Sequence, residues 1–306
     1  MLNFLLYAGS SLIWGSTWLA IKLQLDPVPP ILSVAYRFCL ASALLLLFCR
    51  LTGRELRFAP RDHGFMALQG FTLFGLGYCC SYMATVYMTS GLVAVVFSTI
   101  LLWNIVNLRI FMGQAVAWRA VWGGVLGFSG ICLVFRHDLM GFSATRGLIG
   151  LAIAMVGAYL ASLGNVVGSR NAKMGLPVTQ ANAFGMGYGG LLTLFIHFAL
   201  GGGLSMDWSL GYLGPMLYLT VFGSIVAFGC YMLLIGRIGA EYAGYVTLLM
   251  PIIALVLSTL FEGYHWYADS LAGVALVLAG NLVIMTPRTT CRRIMGRFKA
   301  PAVVNT

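Results

Sequence analysis

Polar side chains inside long apolar runs are the residues of this sequence that could do chemistry. Ser10, Trp14 and Thr17 lie three or four positions apart, which places them on one face of a helix. Polar groups at membrane depth need a protein partner, water or a ligand. This face therefore either lines a cavity or is satisfied locally, with the hydroxyl groups bonded to carbonyls of their own helix.

An amide side chain, Asn104, lies near the middle of another apolar run. It costs free energy unless it is hydrogen-bonded, so it serves either an interhelical bond or a ligand. The aromatic candidates for a substrate site could stack on aromatic or amphipathic solutes. The full set of candidate substrate-binding residues is Trp14, Thr17, Arg37, Tyr78, Tyr82, Trp103, Asn104, Asn165, Tyr218, Ser224, Tyr245 and Pro251.

Arg37 and Pro251 have more specific consequences. If its helix begins near Ile31, Arg37 lies about 9 Å deep, where it either draws a carboxylate inward or extends its charge back to the interface. Lys22, at the end of the first run, is in a position to reach the interface directly. Pro251 cannot donate to the carbonyl of Thr247, which predicts an open acceptor near mid-membrane. That position is either a gate or a kink whose carbonyl is satisfied by neighbours.

The composition indicates the environment that surrounds these groups. Apolar residues make up 60% of the chain and charged residues 8%, whereas about a quarter of the residues in soluble proteins are charged. Long apolar runs joined by short loops fit helices that cross a hydrocarbon core of about 30 Å. The net charge of +10 comes from basic residues beside these runs, which indicates membrane topology rather than nucleic-acid binding. The seven cysteines have no metal or disulfide spacing and are interpreted as packing residues.

The sequence is similar to itself at an offset of 150 positions. The copies align Phe111 with Phe261, Gly113 with Gly263, Gly123 with Gly273 and Gly130 with Gly280. We predict ten spans, five in each copy, and expect the matched glycines to be packing positions. The spans cover residues 3–22, 31–50, 63–87, 91–112, 118–135, 147–170, 178–200, 211–234, 240–261 and 266–286. Because five is odd, the second copy enters the membrane from the opposite side.

The predicted fold class is therefore an all-α integral membrane protein with ten transmembrane helices in two inverted five-helix repeats. The first repeat covers residues 1–138, the second 139–287, and a basic cytoplasmic tail covers 288–306. Basic residues decide the orientation. Fourteen of the 18 Lys and Arg residues lie in one set of loops and the tail, against Lys22, Arg136 and Arg146 on the other side. By the positive-inside rule, both termini are cytoplasmic.

Acidic residues are absent from the middle of every predicted span. All eight lie in loops or within about one helical turn of a span end. His197 is the deepest histidine, and packing is its expected role. Proton-coupled pumps usually need an intramembrane carboxylate or histidine relay. The sequence therefore predicts a facilitator or exchanger for neutral, zwitterionic or apolar metabolites rather than a proton antiporter.

Several motifs resemble those of the EamA-type members of the drug/metabolite transporter superfamily, in order along nearly the whole chain. They are Trp14 to Lys22, Tyr36-Arg37-Phe38, Ser162 to Asn165, and Ile238-Gly239-Ala240 leading to Leu249-Met250-Pro251. The resemblance implies two inverted five-helix repeats around a central substrate cavity, and export of amino acids or other small metabolites. The fourth span departs from the family in having Leu101-Leu102 where a proline is often found. The Gly-Glu ending is replaced by Gly113-Gln114 in the first copy and Glu262-Gly263 in the second.

The sequence thus predicts a carrier in the inner (plasma) membrane that works by alternating access. Its expected partners are a small-molecule substrate and the lipid bilayer, without nucleic acid, in a monomer or weak homodimer; no cofactor or metal is expected. An intramembrane serine protease is an alternative, because Gly127-Phe128-Ser129-Gly130 matches a GxSG pattern and His197 could act as the base. A multidrug efflux carrier is another alternative, and a channel or receptor a further one.

Overall fold

The structure is a computed structural model that describes residues 1–26, 28–136, 144–238, 243 and 246–285. Within these residues the chain forms ten helical segments and no strand. They are α1 (Leu2–Lys22), α2 (Pro30–Leu51), α3 (60–87), α4 (Ser90–Met112), α5 (Trp118–Val134), α6 (Ala144–Lys173), α7 (Val178–Ala199), α8 (Leu210–Ile238), α9 (Val246–Phe261) and α10 (Ala268–Met285).

The helix bounds follow local signals in the sequence. Pro30 and Pro60 lie in the first turns of α2 and α3, where a missing N–H group costs nothing. Gly113 and Gly263 follow α4 and α9 with φ angles of 66° and 67°, a left-handed conformation that glycine adopts without strain. The predicted start of the ninth span at residue 240 lies outside the described residues.

Three helices contain irregular segments that the sequence did not predict. In α3, residues Gly70–Gly77 form wider π-helical turns, and in α8 residues Tyr218–Val226 do the same. In α4 the regular helix is interrupted at Ser98 and Thr99, whose hydroxyls donate to the carbonyls of Val95 and Val96. Such back-bonding bends helices, so α4 is irregular without the proline often seen there in the family. Segments of this kind are frequent at functional sites.

The protein is a multi-pass membrane protein. Six helices in the described part of the chain are long and apolar enough to cross a bilayer, and α5 and α9 are shorter apolar helices. Large apolar side chains such as Phe128, Phe195 and Leu260 are exposed on the outside of the bundle. Lipid contact explains such a surface, which would be unfavourable in water.

Helices pack in pairs around two buried apolar clusters. The helices in closest contact are α5 with α10, α2 with α7, α1 with α9, and α3 with both α6 and α7. One cluster joins the end of α3 to α4, α5, α9 and α10, and includes Val93, Val95 and Leu255. The other joins α1, α2, α3, α7 and α8, and includes Phe38 and Phe74.

Glycines allow α5 and α10 to approach closely. A Cβ atom on Gly130 would lie 2.5 Å from the carbonyl oxygen of Gly273, and one on Gly280 would lie 2.5 Å from that of Gly123. The prediction that the copy-matched glycines are packing positions is confirmed for these four but was wrong for Gly113 and Gly263, where a Cβ atom would have no neighbour within 4 Å. An exposed ion pair between Arg136 and Asp269, with 3.0 Å between nitrogen and oxygen, also connects the two helices.

We predict that Gly130→Val destabilises the protein because the new side chain meets backbone atoms that cannot move away. The expected cost is about 1–3 kcal/mol, measured as a lower Tm of purified protein in detergent. Gly127→Ala is the matched control, since a Cβ atom there has no neighbour within 4 Å. Equal Tm values for the two variants would contradict the packing role of Gly130.

Candidate functional site

Cavities lie at both ends of the bundle. The end that carries Lys22 and Glu262, called here the Lys22 end, holds a cavity of about 1100 Å³. The opposite end, called the Arg54 end, holds two cavities of about 390 and 460 Å³ that share Asn182, Phe228 and Met232 among their lining residues. These cavities give solutes room to enter the bundle at either end.

Along α3, the cavities of the two ends are separated by residues 74–85, which we call the closed layer. On α3, Gln69 and Leu73 line a cavity at the Arg54 end, whereas Val86 and Tyr87 line the cavity at the Lys22 end. The residues between them, 74–85, line none of these three cavities. At about 1.5 Å per residue, the closed layer is roughly 20 Å thick. It contains two of the predicted site residues, Tyr78 and Tyr82.

Seven of the predicted site residues come together on α1, α2, α3 and α8. We call this group the arginine cluster; it consists of Trp14, Thr17, Arg37, Tyr78, Tyr82, Tyr218 and Ser224. Trp14 Nε1 donates to the carbonyl of Gly223 over 3.1 Å, and the Tyr218 hydroxyl lies 2.7 Å from Ser16 Oγ. Both bonds join α1 to the π-helical segment of α8, which therefore positions the cluster.

The hydroxyl groups of Ser10 and Thr17 on α1 are satisfied by their own helix. Ser10 Oγ donates to the carbonyl of Leu6 over 2.8 Å, and Thr17 Oγ1 donates to that of Trp14 over 2.6 Å. This face was expected either to line a cavity or to have hydroxyls bonded to their own helix, and the second interpretation describes these two hydroxyls. Trp14 itself packs its ring against Phe228 and Tyr231, with 5.1 Å between centroids in each case.

Arg37 is the charged centre of the arginine cluster. Its side chain is 1% exposed. The Nε atom donates to Ser224 Oγ over 3.2 Å, and the guanidinium carbon lies 4.8 Å from the ring centroid of Tyr78 and 5.1 Å from that of Phe38. Aromatic faces attract a guanidinium, and this attraction is larger when water is excluded. Arg37 is thus held inside the bundle and does not extend to its surface.

The smaller cavity at the Arg54 end is lined by side-chain amides. Asn165 Nδ2 donates to Asn104 Oδ1 over 3.3 Å, between α6 and α4. Gln69 Nε2 donates to Asn182 Oδ1, and Asn171 Nδ2 donates to Gln69 Oε1, both over 3.0 Å. All five residues line this cavity, which we call the amide cavity. Each side-chain amide carries N–H donors and a carbonyl acceptor, so the cavity can bind a polar solute through hydrogen bonds in both directions.

Sequence reasoning singled out Asn104 and Asn165 in the amide cavity but missed Gln69 and Asn171. The signal in the sequence that could have identified these two residues was an amide side chain close to the end of a predicted span. Their importance depends on contacts across three helices, which one sequence does not reveal. The interhelical role proposed for Asn104 is present in the structure, and its position on a cavity wall leaves the ligand role possible as well.

The other predicted site residues lie elsewhere. Trp103 packs edge-to-face on Tyr159, with 5.3 Å between ring centroids, and lines an apolar gap beside α5 and α10 rather than the amide cavity. Pro251 is buried within α9. The Thr247 hydroxyl one turn earlier lies 4.0 Å from the sulfur of Met285. Tyr245 lies outside the described residues.

The structure does not bring Ser129 and His197 together. Ser129 is exposed on α5, whereas His197 is buried on α7 with Nε2 hydrogen-bonded to the carbonyl of Gly203 over 2.9 Å. A serine nucleophile needs its base within hydrogen-bond reach. The structure thus gives the protease alternative no support, and His197 has the packing role expected of it.

Glu262 connects the end of α9 to the start of α4 at the Lys22 end. Its carboxylate accepts hydrogen bonds from the backbone N–H of Ser90, at 2.9 Å, and from the Ser90 hydroxyl. Ser90 begins α4, and a negative charge is favourable at a helix N-terminus. Beside this contact, Lys22 Nζ donates to the carbonyl of Thr85 over 2.9 Å. Glu262 was not among the predicted site residues, since only the fold places it against α4.

We predict that Glu262→Gln loosens the start of α4, because the amide keeps the shape of the contact but loses its charge. Backbone N–H groups of residues 90–97 should exchange with deuterium about two- to fivefold faster, measured by mass spectrometry. Asp269→Asn is the control, since it removes an acid at the same end that pairs with Arg136. Unchanged exchange in Glu262→Gln, or equal acceleration in both variants, would contradict the contact's role.

Comparisons with known proteins identify a family whose members are similar to this chain. The model of the EamA-like transporter family matches residues 1–136 and 148–286. The chain is 29% identical to YedA, an uncharacterized inner membrane transporter of Escherichia coli, over 95% of this chain and 90% of that protein. It is 25% identical to the uncharacterized transporter YvbV of Bacillus subtilis, over 92% and 91%.

Two further matches extend over similar lengths. The protein PagO of Salmonella typhimurium is 21% identical over 91% of both chains. One solved crystal structure, 18% identical, shares the fold with a TM-score of 0.68 over 95% of this chain and 98% of the other. The family model and the names of YedA and YvbV point to a transporter rather than an enzyme. The resemblance drawn from the motifs is confirmed: the chain belongs to the EamA-like transporter family.

Proposed function

We propose that the protein is a secondary carrier of small metabolites, most simply amino acids or related amphipathic compounds, that works by alternating access in the inner membrane with both termini in the cytoplasm. The observation that carries this proposal is the closed layer of about 20 Å between cavities at the two ends. A carrier needs such a barrier, because a substrate site open to both sides at once would be a pore.

Features that recur in the two halves support an inverted repeat. Gly113 and Gly263 share a left-handed conformation at the ends of α4 and α9. The π-helical segments occur in α3 and in α8, the third helix of each half. The matched glycines of α5 and α10 pack crosswise, and the family model matches two stretches of similar length. Two such halves could rock against each other about a central site.

The positions of the acidic residues support a facilitator or exchanger. In the part of the chain that the structure describes, Asp62 and Asp269 lie in the first turns of α3 and α10, and Glu262 lies just past α9. The arginine cluster and the amide cavity contain no carboxylate. A carrier without a titrating acid at its centre has no evident means of binding a driving proton.

Metabolite counterflow tests this function. Purified protein in liposomes preloaded with unlabelled amino acid should accumulate the labelled compound transiently and saturably, whereas empty liposomes should not. A panel of aromatic amino acids, threonine, homoserine, nucleosides and cationic drugs identifies the substrate class. Ohmic single-channel currents without counterflow would show that the protein is a pore rather than a carrier. Flux that collapses when a pH gradient is removed at fixed substrate gradient would contradict the facilitator or exchanger.

We predict that Asn104→Leu lowers counterflow about tenfold or more, because one hydrogen bond to the substrate is lost from the amide cavity. Stability should fall by only about 0.6 kcal/mol, the average for a polar contact between membrane helices. Gln114→Leu, which changes an exposed amide just past α4, is the matched control. Equal loss of folded protein and of flux in Asn104→Leu would assign Asn104 to helix packing alone.

A further inference from the structure

The charge of Arg37 has no counter-ion in the described part of the chain. The ion pair found there joins Arg136 and Asp269, far along the sequence from Arg37. A guanidinium stays protonated in proteins, so Arg37 cannot escape the cost of burial by losing its charge. An isolated buried charge is strongly unfavourable and persists in membrane proteins chiefly where function needs it. The position therefore suits an anion that arrives from outside the protein.

Two donor atoms beside Tyr82 lack partners. Arg37 Nη1 and Gln24 Nε2 are both buried and form no hydrogen bond. The Tyr82 hydroxyl donates to Gln24 Oε1 over 2.8 Å, and Tyr82 also lies close enough to Arg37 to interact with its charge. Buried donors without partners are costly, and both atoms here can only donate. A ligand that satisfies them must supply acceptor oxygens.

We propose that Arg37 and Gln24, held in place by Tyr82, bind the carboxylate of the transported solute. This inference rests on the carrier function proposed above and names its substrate class, which is a solute with a free carboxylate. A carboxylate offers two acceptor oxygens and the negative charge that Arg37 lacks. The rings of Tyr78 and Phe38 beside the guanidinium suit an apolar or aromatic body attached to that carboxylate.

Cavities lie close to this site from both ends. At the Arg54 end, Ser224, which accepts from Arg37 Nε, lines the larger cavity. At the Lys22 end, Lys22 lines the cavity and donates to the carbonyl of Thr85, less than one helical turn from Tyr82 on α3. Asp26, Arg146 and Glu262 line the same cavity, so its entrance carries both signs of charge. Arg37 alone supplies charge in the arginine cluster. Cationic drugs would meet like charge there, which disfavours them as substrates.

The test compares carboxylates with their amides on the purified full-length protein. The probes are phenylalanine with phenylalaninamide, threonine with threoninamide, and benzoate with benzamide. Binding is measured as a concentration-dependent rise in Tm, and transport as counterflow. We expect the carboxylate of each effective pair to bind and its amide to bind at least about thirtyfold more weakly, as when a buried charge loses its partner.

Three variants locate the effect. Arg37→Gln should remove the preference for the carboxylate. Gln24→Glu places a carboxylate of the protein beside Arg37, so it should abolish binding of the carboxylate probes while the Tm without ligand stays equal or rises. Gln24→Glu keeps the size of the side chain, so it still tests carboxylate binding if Arg37→Gln fails to fold. Arg109→Gln removes an exposed cation at the other end of the bundle and should bind as the unmodified protein does.

Several results would overturn the assignment. Equal binding of carboxylates and amides would do so, as would a carboxylate preference that survives in Gln24→Glu. Stabilisation by chloride or phosphate alone, without any by the organic acids, would make Arg37 an inorganic anion site instead. Counterflow without carboxylate preference would retain the carrier and reject this site. Carboxylate binding that depends on Arg37 but yields no counterflow would retain the site and reject the carrier.

Discussion

Polar groups inside this bundle must find their partners within the protein, because lipid offers none. Most of the interior follows from that constraint. Hydroxyl groups on α1 and α4 bond to carbonyls of their own helices, as Ser10 and Thr99 do. Amides bond in chains across helices, as from Asn171 through Gln69 to Asn182. Arg37 is a charged side chain buried among the described residues, and its neighbours supply rings and a hydroxyl but no opposite charge.

The same constraint explains how the helices approach one another. Apolar side chains gain little by leaving lipid, so close packing has to supply the attraction between helices. Glycines allow the backbones of α5 and α10 to touch, and this pair lies away from the arginine cluster and the amide cavity. The irregular turns of α3 and α8 lie instead at the polar interior, where Gly223 offers its carbonyl to Trp14. Close glycine packing and irregular backbone also coincide in α3, where a Cβ atom on Gly189 of α7 would lie 2.6 Å from the carbonyl oxygen of Gly70.

The sequence was sufficient for the helices but only partly for the site. Span bounds were predicted to within a few residues, because apolar length and flanking Pro and Gly are local signals. Arg37 and Ser224 are buried and Trp14 bonds to α8, which agrees with the expectation that polar residues in apolar runs mark the interior; that they bind substrate stays a prediction. Trp103 lines an apolar gap away from the arginine cluster and the amide cavity; its helical face could not be assigned without knowing how α4 packs. The contact between Ser90 and Glu262 joins residues 172 positions apart, so no local sequence pattern predicts it.

That contact is where the proposed mechanism can be tested most directly, because it joins the start of α4 to the end of α9 at the Lys22 end. The measurement is counterflow by Ser90→Cys/Glu262→Cys protein, with its native cysteines replaced, before and after reaction with a short thiol-reactive cross-linker. Alternating access predicts that the cross-link stops counterflow and that reduction restores it, while either single variant is unaffected by the reagent. Counterflow that continues at the uncross-linked rate would show that the two halves need not separate there, and would contradict the mechanism.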